Sequence, residues 1–165
     1  MLPLAISDLP VFLRWRGEVA FGETHWEQLV DVADRLIVDS SAWEELHYEK
    51  LVGVFERTAV SDIAWARTQQ WRVELAGCWP EIREQEIRIR GPRPEATLLR
   101  GWLTAQLERE VRPVEPAEAL AVRLGGEELQ PPPDALSPSD LLSAELDHFG
   151  RDRIYEAAVS ATLSP

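Results

Sequence analysis

Asp39-Ser40-Ser41 is the group of residues best placed by type and order to hold a small ligand. It follows an apolar run, Arg35–Asp39, that reads as a short buried strand. In open α/β sheets ligands collect at the carboxyl ends of strands. Two hydroxyls at the start of a following helix, with Arg35 or another strand-end arginine nearby, would suit an anion. The same residues are also common helix caps. A Ser-His-Asp hydrolase built from Ser40 or Ser41, His47 and Asp39 would need mutual reach. It lacks the GxSxG elbow that presents such a serine.

Other chemistry has little to build on. The chain contains no GxGxxG and no GxxxxGK[ST], and Gly125-Gly126 is expected between two short strands, as a turn is. His25, His47 and His148 are far apart. Glu45, His47 and Glu49 alternate, but on a helix their side chains diverge. The single cysteine, Cys78, supports neither an intrachain disulfide nor a zinc site and reads as a small apolar residue. No metal or cofactor is expected.

Tryptophan and arginine are the remaining signal. Residues 61–79 hold Trp65, Trp71 and Trp79 together with Arg67 and Arg72, and Trp15 and Arg16 close an earlier strand. These types dominate binding hot spots. Buried in a core, they would serve equally as large apolar volume with guanidinium–indole contacts. If residues 61–79 form one helix, Trp71, Leu75 and Cys78 share a face and Trp65 and Arg72 share another. One of the two tryptophans is therefore expected at the surface. Trp65, Arg67, Trp71, Arg72, Trp15 and Arg16 form the candidate partner-binding set; Arg35, Asp39, Ser40 and Ser41 form the candidate ligand set.

Local pattern supplies the elements that must place these groups. Residues 9–15 read as a strand. Thr24 with Glu27 makes a capping box ahead of a helix from Trp26. A helix is expected over 42–57, another over 63–77 capped by Ser61-Asp62 and closed by Pro80, and a half-exposed strand over 84–90. Pro94 opens a helix to Leu107. Residues 111–116 form a Pro-punctuated linker and 119–124 a strand. Gly125-Gly126 turns back toward 127–130. Residues 131–133 are a rigid spacer, and helices follow Ser137-Pro138 and Ile154. The expected fold is α/β: a small, mostly parallel sheet flanked by helices, with a C-terminal β-hairpin plus helix extension. Residues 1–110 would form the core domain and 117–165 a hairpin–helix subdomain packed on it.

The 165 residues carry a net charge of −12, from 29 acidic and 17 basic side chains, and Lys50 is the one lysine. Such a chain repels phosphate backbones and anionic membranes, so neither nucleic acid nor membrane is an expected partner. No apolar run is long enough to span a bilayer. The start of the chain lacks a basic leader, so a cytoplasmic protein is expected.

Four stretches resemble one family in order. DIAWARTQQWRVELA at 62–76, ISDLPVFLRWRG at 6–17, RLIVDSS at 35–41 and ATLLRGWLTAQL at 96–107 are similar to motifs of the bacterial OpcA family, the glucose-6-phosphate dehydrogenase assembly proteins. Members of that family are longer, with an α/β half ahead of the Pro-Val strand. Arg14 stands where they have the first of two tryptophans, and Cys78 alone cannot supply the cysteine pairs proposed for redox control. The resemblance implies a non-enzymatic accessory protein of the pentose phosphate pathway that promotes assembly or allosteric activation of glucose-6-phosphate dehydrogenase. A homodimer is compatible with it. The alternative is a sugar-phosphate or anion-binding sensor module without catalysis.

Overall fold

The computed structural model describes residues 9–132, 137–147 and 150–163. Three strands, β1 (Phe12–Arg14), β2 (Arg35–Val38) and β3 (Ala59–Asp62), form a parallel sheet in the order β1-β2-β3. Helix α1 (Thr24–Val32) crosses from β1 to β2, and α2 (Tyr48–Phe55) from β2 to β3. The central strand β2, Arg-Leu-Ile-Val, is buried throughout because helices cover both faces. Leu36 and Val38 enter the main core. Ile37 points the other way, toward Ile63, Ala66 and Leu141.

Several expected boundaries move. Helix α1 begins at Thr24 itself, with Glu23 at the cap position and no side-chain cap bond, so the Thr24–Glu27 box does not form. The helix expected over 42–57 is shortened. Asp39 accepts hydrogen bonds from the Ser41 amide and hydroxyl, which tightens Ser40–Ala42 into a 3₁₀ turn, and α2 starts only at Tyr48.

The helix expected over 63–77 is two helices, α3 (Ile63–Arg67) and α4 (Gln69–Gly77). Between them, the Thr68 hydroxyl donates to the Trp65 carbonyl at 2.8 Å, a local bond that competes with helix continuation. Across the break, both Trp65 and Trp71 enter the main core.

Strand β4 (Ile87–Gly91) has the expected alternation, with Ile87 and Ile89 inside. Helix α5 (Arg93–Leu107) follows it. Next come β5 (Glu115–Pro116), β6 (Ala121–Leu124) and β7 (Glu127–Glu128), then α6 (Pro138–Leu146) and α7 (Arg153–Thr162). The α/β class holds, but β4 does not join the parallel sheet. It belongs to a second sheet, β5-β4-β6-β7, in which it pairs parallel to β5 and antiparallel to β6. Strands β6 and β7 pair antiparallel across Gly125-Gly126, whose positive φ values of 58° and 96° glycine accepts without strain.

Residues after 117 enter the same core as those before 110: Val122, Leu124, Tyr155, Ala158 and Val159 pack with Leu98, Leu99 and Leu103. Helices α5 and α7 approach closely at Gly101. A β-carbon there would lie 2.2 Å from the Ala158 carbonyl oxygen. No helix among the described residues is long and apolar enough to cross a membrane.

Candidate functional site

The carboxyl end of β2 is filled by the protein itself. Arg67, at the end of α3, reaches Asp39 Oδ2 at 3.2 Å, Ser41 Oγ at 2.8 Å and Glu95 Oε1 at 3.2 Å. Burial disfavours the Arg67 charge, but Asp39 and Glu95 outweigh it and raise its pKa. The candidate ligand residues Asp39 and Ser41 thus hold an internal guanidinium. Arg35 lies at the opposite end of β2 and takes no part. Arg67→Ala would leave two partly buried carboxylates facing each other, at a cost of about 2 kcal/mol in urea unfolding. Arg67→Lys would recover only part of it, because an ammonium cannot fork between two carboxylates.

Behind this tie lies a closed polar network. Asp62, at the end of β3, is fully buried. Its carboxylate accepts from the Ser40 amide at 3.0 Å, the Ala64 amide at 2.9 Å and the Tyr155 hydroxyl at 3.3 Å. Burial pushes its pKa up to about 6, against the opposing bonds from Ser40 and Ala64. Burial and the nearby Asp62 also raise Tyr48 and Tyr155. Ser40 Oγ lies 3.1 Å from the Tyr48 hydroxyl and is inaccessible. His47 pairs instead with Glu18 at 3.3 Å and Glu49 at 3.7 Å. Serine, histidine and Asp39 are therefore not assembled as a nucleophilic triad.

An open cleft lies elsewhere. A cleft of about 350 Å³ lies between α3–α4 and the turn Gly150–Asp152 ahead of α7. The Trp65 indole forms one wall. Its Nε1 donates to Asp152 Oδ2 at 2.9 Å, and the Arg72 guanidinium lies 3.6 Å over its ring. Asp152 Oδ1 also caps α7, accepting from Ile154 and Tyr155. Arg72 Nε donates to the Thr68 hydroxyl at 3.1 Å. Burial lowers the Arg72 pKa to about 10, with Asp152 and Glu145 pulling it back up.

At the cleft base is Arg35, only 2% exposed. It donates to Ser61 Oγ and to the Gly150 carbonyl, while its Nε is buried without a hydrogen-bond partner. Burial lowers its pKa too. Pattern alone identified Trp65 and Arg72 as sharing a side of the helix. It gave no sign that Arg35 joins them, nor that residues 150–152 close the far wall.

The remaining candidates scatter. Trp65 and Trp71 are 3% and 6% exposed, so the expected surface indole is neither of them. The helix breaks at Thr68, and Trp65 is covered from the C-terminal side by Asp152 and Tyr155. Trp15 is half-buried, edge-on to Trp26 at 4.8 Å, with Nε1 donating to the Glu18 carbonyl; Arg16 is exposed. Trp79, 40% exposed, is the outward indole of this segment, and Val73 on α4 is exposed as well. Cys78 is half-buried on α4's C-terminal turn. His148 lies outside the described residues. Among those described, no group of three or more His, Cys, Asp or Glu is placed to hold a metal.

No protein family matches the chain, and no curated protein matches it in sequence.

Proposed function

We propose that this chain is a non-enzymatic accessory protein that binds glucose-6-phosphate dehydrogenase in the cytoplasm and favours its active assembly. The observation that carries this reading is the convergence of the stretches resembling the OpcA family. Residues 12–14 pair with 35–37, and 35–38 pair with 59–62. Arg67 of the third stretch binds Asp39 and Ser41 of the second and Glu95, the residue just before the fourth. Gly101 of the fourth is the position where α7 crosses α5. Motifs inherited with a shared fold would converge in this way, since their residues hold one unit together.

The expected mechanism is a population shift: a protein that binds the active oligomer better than the inactive form displaces that equilibrium by its differential affinity. With Trp65 and Trp71 inside, the contact falls to exposed side chains of the same unit. Val73 and Trp79 on α4 and its following turn offer apolar surface, and Arg16 offers charge.

The test is titration into the dehydrogenase of the same organism, following specific activity and sedimentation. Saturable activation with a shift to a larger species is expected. Trp79→Ala combined with Val73→Asp should weaken the effect by roughly tenfold. Unchanged activity and size across a wide concentration range would overturn the proposal.

A further inference from the structure

We propose that the cleft between Arg35 and Arg72 is a binding site for a small phosphate monoester. It stands apart from the dehydrogenase contact and from Asp39–Ser41, whose guanidinium is already in place.

Neither Arg35 nor Arg72 has a carboxylate at ion-pair distance among the described residues; their protein partners are the neutral Ser61, Gly150 and Thr68. A guanidinium withdrawn from water without an ion-paired anion is costly. The Arg35 Nε has no hydrogen-bond partner, and the terminal nitrogens of Arg72 make no protein hydrogen bond among the described residues.

The acids at the cleft offset this only in part. Asp152 is held by Trp65 Nε1 and by the first amides of α7. Arg151, at the rim, is matched outside the cleft by Glu156 at 2.7 and 2.8 Å. Asp152 and Glu145 both act on the two arginines, though neither reaches ion-pair distance.

Two desolvated guanidiniums suit an anion with about two charges and three acceptor oxygens, the description of a phosphate monoester near pH 7. A monocarboxylate would neutralise only one. Stacking on Trp65 fixes the plane of Arg72 before any ligand arrives, which reduces the ordering cost of binding. The volume of about 350 Å³ exceeds that of a bare phosphate and falls at the small end of ligand pockets. Gln69 at the rim offers an amide to the esterified group.

The experiment is calorimetric titration of the full chain with glucose 6-phosphate, inorganic phosphate, glucose and a short Asp/Glu peptide. Saturable binding of the ester, weaker binding of phosphate and none of glucose are expected. Arg72→Gln should weaken ester binding by roughly tenfold or more. Gln69→Glu, at an exposed position, should weaken it without touching the core, and Glu145→Gln should tighten it by about threefold. Absence of ester binding by the folded wild type would overturn the site. So would equal binding of glucose, indifference to all three substitutions, or binding of the acidic peptide alone. The dehydrogenase is absent from this experiment, so its outcome is separable from that of the assembly assay.

Discussion

Gly101→Ala is expected to leave the protein unfolded or strongly destabilised. The added carbon would lie 2.2 Å from the Ala158 carbonyl oxygen, 2.7 Å from Thr162 Cγ2 and 3.1 Å from the Ala158 carbonyl carbon. Two of these atoms are backbone, so no rotamer change relieves the clash. Helix α7 would have to move away from α5, carrying Tyr155, Ala158 and Val159, which are fully buried. Overpacking typically costs about 1–3 kcal/mol, and the lost burial along α7 adds to it, so about 3 kcal/mol or more is expected. That is a large share of a total stability of roughly 5–15 kcal/mol. Gly53→Ala is the control. It lies in α2 with nothing within 4 Å of the added carbon, and the gain in helix propensity should stabilise by about 0.5–1 kcal/mol. Urea unfolding followed by circular dichroism measures both. A Gly101→Ala protein as stable as wild type would contradict the packing of α5 on α7.

The second large effect is a dependence of stability on pH set by Asp62. An unfolded aspartate binds its proton near pH 4, whereas the buried Asp62 binds it near pH 6. Between those values the folded state holds more proton than the unfolded one. Raising the pH through that window therefore removes stability, and above it the loss is complete. A displacement of about two pKa units corresponds to about 3 kcal/mol. Asp62→Asn should flatten this slope. Its side-chain oxygen keeps the bonds from the Ser40 and Ala64 amides, and its amide can donate to the Tyr155 oxygen. At pH 7.5 the variant should match or exceed wild type. Asp62→Ala, which loses the α3 cap and strands those donors, should cost about 2 kcal/mol at the same pH. Urea midpoints from pH 4 to 8 decide the matter; an identical slope in wild type and Asp62→Asn would refute the assignment.

Local pattern made some parts of this fold legible. Strand β2 was evident from four apolar-rich residues ending in Asp-Ser-Ser, because a strand covered on both faces needs no alternation. Strand β4 was evident from its alternation, because one of its faces meets solvent. The seven-residue spacing of Trp65 and Arg72 put them on one side, and their stacking survives the kink between α3 and α4. Strand β3 gave no signal. Ala-Val-Ser-Asp carries little apolar volume, and its burial comes from its neighbours. The division into two sheets was hidden as well, since alternating strands and helices do not specify which strands pair. The cleft was the least legible part. Its walls join residues 87 and 115 positions apart, through Trp65–Asp152 and Arg35–Gly150. No local rule reaches that distance. The tie at Asp39 was half-legible: the polar strand end stood out, but the arginine filling it comes from another element.

The stacked wall of the cleft has an optical consequence. Trp65 carries the Arg72 guanidinium 3.6 Å over its ring and donates its indole proton to Asp152, a carboxylate that also caps α7. Its excited state is therefore sensitive to any charge entering beside it. Emission from an otherwise intact chain becomes a label-free indicator of occupancy, and a Trp65→Phe protein supplies the background against which small metabolites can be screened.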